Sequence, residues 1–231
     1  MIRSPEDRII VALDRASKEE NIAIIRALQG RAKWFKIGMK QFYAGADEVF
    51  DAIRDADAKL FLDLKLHDIP ETVAGAAAAL AHIAPDLLTI HASGGAEMVR
   101  AAVDTLAKTA PQTRVLSVTI LTSMGPEDVE VFNTNDVAKL VVDLASRAVA
   151  AGSHGVVASA QEAKLLRPVL GDALIVTPGI RPAGSAVGDQ KRVMGPKAAI
   201  ADGADLLVIG RPIHGAQDPR AAFDAIVEEL R

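Results

Sequence analysis

The stretch KLFLDLKLHDIPETVAGAAAAL, residues 59–80, decides the reading of the fold. An apolar run of strand composition ends in charged residues, then passes through Ile69-Pro70 into an alanine-rich segment of strong helix formers. Residues two apart in a strand share a face, so Leu60, Leu62 and Leu64 point one way and Phe61, Asp63 and Lys65 the other. If the leucines meet a layer of helices, Asp63 and Lys65 face the inside of the sheet, near its C-terminal edge.

The same strand-then-helix unit recurs along the whole chain. Strand-like runs are IIVALD (9–14), KWFKIGM (33–39), KLFLDLK (59–65), LLTIHA (87–92), RVLSVTI (114–120), GVVAS (155–159), LIVTPGI (174–180) and LLVIGR (206–211). Between them lie segments of helical length and period. In the first, Ser17 and Glu20 have capping-box spacing, Ile22, Ile25 and Leu28 follow on one face, and Gly30 can end the helix. The last run is followed by AAFDAIVEEL. Short connections between strand, helix and strand demand parallel pairing, and eight units without a composition break favour a closed (β/α)8 TIM barrel over an open doubly wound sheet. No linker or low-complexity tract divides the 231 residues, which predicts one domain over 1–231.

Composition narrows the function. A net charge of −4 provides no basic field for nucleic acid or an anionic membrane, and 3% aromatic residues are too few for a stacking platform. With no cysteine there is no disulfide, thiolate nucleophile or cysteine-based metal site. The start, MIRSPEDRII, lacks the apolar core of a signal peptide, and no run approaches the roughly 20 apolar residues of a membrane span. The expectation is a soluble cytoplasmic protein.

Charge then concentrates at strand ends. Asp14 closes the first run, Lys36 lies toward the end of the second, and Asp63 and Lys65 end the third, so three successive strands bring acid, base, acid and base to one rim. Buried charges are costly unless paired, and active sites of such barrels lie at this rim. Asp68, before Ile69-Pro70, reads equally well as a site residue or as a helix cap. The five histidines (67, 82, 91, 154 and 214) form no HxH or HExxH pair, so no metal site is predicted, and His91 is read as filling the barrel interior. The segment from 179 to 213 contains a long small-residue loop, suited to a lid at about 181–191, with Arg181, Gln190, Gly210 and Arg211 around it. Loops after strands 7 and 8 are the usual phosphate-binding place in these barrels, which points to a small phosphorylated substrate.

These residues fall into a pattern that resembles orotidine 5′-phosphate decarboxylases of the bacterial type. The blocks are Asp63-x-Lys65-x-x-Asp68-Ile69-Pro70-x-Thr72, Lys36-Ile37-Gly38, SVTILTS (117–123), PGIR (178–181), GDQKR (188–192) and IGRPI (209–213). The resemblance runs from residue 8 to 219 and implies conversion of orotidine 5′-phosphate to UMP and CO2 by a homodimer that uses no metal or organic cofactor. It implies that Lys65 protonates C6, that Asp63 lies beside the substrate carboxylate and that Lys36 completes the charged chain. Asp14 and Lys36 would bind ribose hydroxyls, Thr122 would lie along the pyrimidine and ribose, and Gln190 would bridge base and phosphate. Arg181, Gly210 and Arg211 would hold the phosphate side, while Asp68 and Thr72 would reach the neighbouring subunit's site.

Two places depart from the family pattern: Gly195-Pro196, where a Thr-Pro pair is common, and His214, where threonine is common. Two rival readings remain. A magnesium-dependent sugar-phosphate decarboxylase or aldolase of the same barrel group can share the DxKxxD spacing, but not the IPxT that follows or the GDQKR block. A noncatalytic phosphometabolite-binding barrel would not need the Asp63, Lys65 and Asp68 set.

Overall fold

The computed structural model describes residues 4–182 and 194–231. Eight parallel strands close into a barrel in sequence order, each neighbour pairing with the next and β8 returning to β1. They are β1 (Ile9–Ala12), β2 (Trp34–Gly38), β3 (Lys59–Leu66), β4 (Leu87–His91), β5 (Arg114–Val118), β6 (Gly155–Val157), β7 (Leu174–Thr177) and β8 (Leu206–Ile209). The chain is thus a single-domain (β/α)8 barrel, with all eight strands where the apolar runs predict them.

The helices are α1 (Lys18–Ala27), α2 (Met39–Tyr43), α3 (Asp47–Asp55), α4 (Pro70–Leu80), α5 (Gly95–Thr109), α6 (Val137–Ala150), α7 (Ala163–Leu170), α8 (Pro196–Ala201), α9 (Arg211–His214) and α10 (Pro219–Glu229). Local chemistry starts them as expected. Ser17 caps α1 by accepting from the Glu20 backbone N–H, and Glu20 accepts in return from that of Ser17. Pro70 opens α4, where its missing N–H costs nothing. Among the described residues no helix is long and apolar enough to cross a membrane.

The two faces of the strands bury different cores. Leu60, Leu62 and Leu64 join the layer between barrel and helices. Phe61 points inward with Ile10, Leu87, Leu116, Val176 and Leu206, filling the barrel below its mouth. That plug of side chains makes the upper end a closed-bottomed cup. Several strands stop short of the runs that predict them: β1 ends at Ala12, β5 at Val118 and β7 at Thr177, before Asp14, Ile120 and Ile180. Beyond these strand ends Ile120 and Ile180 stay buried, while Asp14, Ile120, Pro178 and Gly179 line the cup.

Candidate active site

The mouth holds a cavity of about 480 Å³. Its lining includes the charged side chains Asp14, Lys36, Asp63 and Lys65, from the first three strand runs, together with Thr122, Arg181, Gly210 and Arg211. Strand register explains the charged side. Lys36 pairs with Ala12 of β1 and with Phe61 of β3, one level below Asp63, which pairs with Gly38. The long lysine stem rises to bring Nζ within 3.5 Å of Asp14 Oδ1 and 3.5 Å of Asp63 Oδ2. A Cβ at position 38 would lie only 3.2 Å from that ammonium and 3.5 Å from the Asp14 carboxylate. Glycine at this strand end leaves space for the ion pair.

Strand β3 is irregular where it matters. Leu62 pairs with Leu88, but Leu66 pairs with Ile90, so β3 carries two extra residues across the gap spanned by Thr89. Such bulges re-aim side chains and gather beside active sites. Lys65 takes up the irregularity with φ +53°, a left-handed conformation that costs a non-glycine residue about 1–3 kcal/mol. Its backbone N–H leaves the ladder and donates to Thr89 Oγ1 at 2.9 Å. Thr89 in turn donates to Asp63 Oδ1 at 3.0 Å, and Lys65 Nζ donates to the same oxygen at 2.7 Å. Lys65 therefore keeps the inward direction that alternation predicts, through a strained bulge rather than a regular strand.

Lys36 and Asp63 are buried. For Asp63 burial by itself raises the carboxyl pKa, but the ammonium groups of Lys36 and Lys65 and the hydrogen bonds from Lys65 and Thr89 outweigh it. The net effect is a pKa below the ordinary aspartate value. The cup thus contains an alternating row, Asp14, Lys36, Asp63 and Lys65, with a fixed carboxylate beside a potential proton donor.

Asp68 and Thr72 do not line the cavity; both are exposed, next to Ile69, which is 65% exposed. Asp68 Oδ1 accepts from the Ile69 backbone N–H at 2.7 Å. The cap position of α4 belongs to Ile69, so the capping alternative for Asp68 does not hold. Gln190 and most of the expected lid, 183–191, lie outside the described residues. His91 follows Leu87 and Thr89 on the inward face of β4, and its ring stands 5.1 Å from that of His67. His67 Nε2 lies 3.4 Å from Ser93 Oγ. Among the described residues no group of three or more His, Asp or Glu is arranged to hold a metal ion.

Two residues escape the sequence reading. Thr89 joins Lys65 to Asp63, and its only sign in LLTIH is a polar residue on the inward period of a strand. His214 lines the cavity from α9; the sequence marks it as a departure from the family pattern but gives it no role.

A closed eight-stranded barrel with a paired lysine and aspartate array in a cup at the C-terminal mouth defines a (β/α)8-barrel enzyme. The sequence places it more closely. Residues 7–226 match the family described as "Orotidine 5'-phosphate decarboxylase / HUMPS family", and the chain belongs to that family. A protein of Thermobifida fusca named orotidine 5′-phosphate decarboxylase is 47% identical over 226 residues, covering 96% of this chain and 95% of that protein. One of Cutibacterium acnes with the same name is 45% identical over 225 residues, with 96% and 95% covered. The crystal structure of orotidine 5′-phosphate decarboxylase from Lactobacillus acidophilus superposes with a TM-score of 0.82 at 38% identity, covering 96% of this chain and 98% of that one.

Proposed function

We propose that this protein converts orotidine 5′-phosphate to UMP and CO2 in the cytoplasm, as the last step of de novo pyrimidine synthesis, with no metal or organic cofactor. The names of its relatives support the substrate. The observation that carries the chemistry is the 2.7 Å contact between Lys65 Nζ and Asp63 Oδ1 in the wall of the cavity, with Lys36 on the other oxygen of Asp63.

Loss of CO2 from C6 leaves a localised carbanion with no electron sink. Fixed positive charge at Lys65 stabilises it, and the same ammonium delivers the proton. Asp63 lies beside the departing carboxylate, and Lys36 completes the row. Asp14 and Lys36 hold the ribose hydroxyls, and Thr122 lies along the pyrimidine and ribose. Arg181, Gly210 and Arg211 hold the phosphate; with Gln190 in a lid over 181–191, phosphate binding far from C6 supplies the energy that closes the site. In a homodimer, Asp68 and Thr72 reach the neighbouring site. Their exposure outside their own cavity, beside the exposed Ile69, supports that arrangement.

The test is loss of orotidine 5′-phosphate absorbance in EDTA, with Lys65→Ala as the comparison. Turnover that survives EDTA and disappears in the variant is expected. Near-normal turnover in Lys65→Ala would end the mechanism, and activity that needs a divalent ion would move the protein to the sugar-phosphate enzymes.

A further inference from the structure

Just past the end of β8, His214 ends the short helix α9, and its backbone N–H donates to the Gly210 carbonyl at 3.1 Å. That turn folds the imidazole back over the strand end. The residue is 8% exposed and lines the cavity together with Gly210 and Arg211. A Cβ on Gly210 would sit 3.3 Å from His214 Nε2 and 3.7 Å from Cδ2, so this edge of the ring occupies the space that the glycine leaves open. The other nitrogen, Nδ1, is buried without a hydrogen-bond partner among the described residues.

These facts favour one ring nitrogen for the proton. Burial lowers the pKa of His214; Arg15 and Arg211 add to the effect, while Asp14 and the residue's own backbone oppose it. The ring is neutral near pH 7 and carries one N–H. On Nδ1 that hydrogen would be a buried donor with no acceptor in hydrogen-bond geometry among the described residues, a costly arrangement. On Nε2 it belongs to the edge beside Gly210, at the cavity wall. A donor held there, next to the guanidinium of Arg211, needs an acceptor that the ligand can bring.

We propose that His214 is a substrate-binding residue whose Nε2–H donates to the phosphate end of the ligand, adding a neutral donor beside Arg211. The assignment of the ligand rests on the function proposed above, and the test separates the two. Protein labelled with 15N-histidine is titrated with UMP, with inorganic phosphate and with uridine, and His214→Gln identifies the resonance. The expected spectrum shows an unprotonated Nδ1 and a protonated Nε2 that shifts with UMP and phosphate and ignores uridine.

His214→Phe keeps the ring shape and removes the donor. It should lower kcat/KM for orotidine 5′-phosphate by about 10- to 100-fold, the range for a hydrogen bond to a charged group. The phosphate-free substrate orotidine should lose nothing, and His214→Gln, whose amide nitrogen can stand where Nε2 does, should recover most of the activity. Equal losses on both substrates, or a His214 resonance that ignores UMP and phosphate, would overturn the proposal. If the wild-type protein does not turn over orotidine 5′-phosphate, the proposed activity falls, while the response to phosphate against uridine still decides the role of His214. If His214→Phe does not fold, the wild-type titration and His214→Gln decide it.

Discussion

Two clusters of partly buried charge hold this barrel, one at each end, and they are built differently. At the N-terminal end, Arg167 of α7 donates from Nε and Nη2 to the Gly203 carbonyl at 3.1 and 2.7 Å, and from Nη1 to the Ala173 carbonyl at 3.0 Å. It also pairs with Asp205, whose Oδ2 accepts from the Ile175 backbone N–H at 2.8 Å. The guanidinium is surrounded by fixed backbone acceptors, and the cluster closes on itself. At the mouth, Lys36 stands 3.5 Å from each of two carboxylates, and Lys65 is held through a bulge in a left-handed backbone. A charge network that serves shape is satisfied by the main chain. The one at the mouth keeps long contacts at Lys36 and strain at Lys65, which under the proposed function leaves a ligand's charge to complete it.

That contrast breaks if Lys65 proves to be structural. Lys65→Ala should reduce decarboxylation of orotidine 5′-phosphate by at least about a thousandfold, the combined loss of a proton donor and an aimed positive charge. Melting temperature should stay near that of the wild type, since Asp63 keeps Lys36. A large fall in melting temperature with residual turnover would assign the mouth to stability instead. The opposite outcome is expected at the other end. Arg167→Ala leaves Asp205 without its ion-pair partner and should cost about 2–4 kcal/mol in a urea unfolding curve. Its kcat/KM should remain within about twofold of the wild type; a larger kinetic loss would mean that the two ends are coupled.

Thr89 sharpens the comparison because it belongs to both roles. Thr89→Val removes the hydroxyl that accepts from the Lys65 backbone and donates to Asp63. The change should lower kcat by about 10- to 100-fold and stability by about 1–2 kcal/mol, with Thr89→Ser restoring most of each. Steady-state kinetics and unfolding curves on the same two variants check this.

Thr89 also marks the limit of what can be read before folding. The eight strands are legible because parallel strands buried on both faces are apolar runs, and Asp63 and Lys65 are legible because charges interrupt one of those runs. Threonine is an ordinary strand former, so nothing in LLTIH announces a bridge. Lysine gives no warning of a positive φ, since glycine and asparagine are the usual signs. The runs ending at residues 14, 120 and 180 overshoot because buried Leu13, Ile120 and Ile180 follow the last ladder residues, and Asp14, Ile120, Pro178 and Gly179 of that overshoot line the cavity. Asp68 could not be placed from sequence alone, because a carboxylate before Ile-Pro suits a cap, and only the backbone shows Ile69 in that position.

The smallest expected effect lies just outside the cavity, at His91. Its pKa is pushed down to about 4, first by burial and then by the neighbouring charges of His67 and Lys65, with Asp63 opposing. An unfolded histidine titrates near 6.5. Between these values the unfolded chain binds a proton that the folded ring refuses, so folding stability is fully present above about pH 6.5 and declines as the pH falls toward 4. His91→Gln should flatten that part of the stability curve without changing it above pH 7, as urea midpoints across the range would show. Below the ordinary aspartate range a second loss remains in both proteins, because the depressed Asp63 carboxyl takes up its proton there and the array at the mouth loses its central anion. A His91→Gln curve that keeps the wild-type slope between pH 6.5 and 4 would mean that the folded ring takes up its proton as readily as the unfolded one. Below about pH 6.5 the mouth would then carry another positive charge near Lys65.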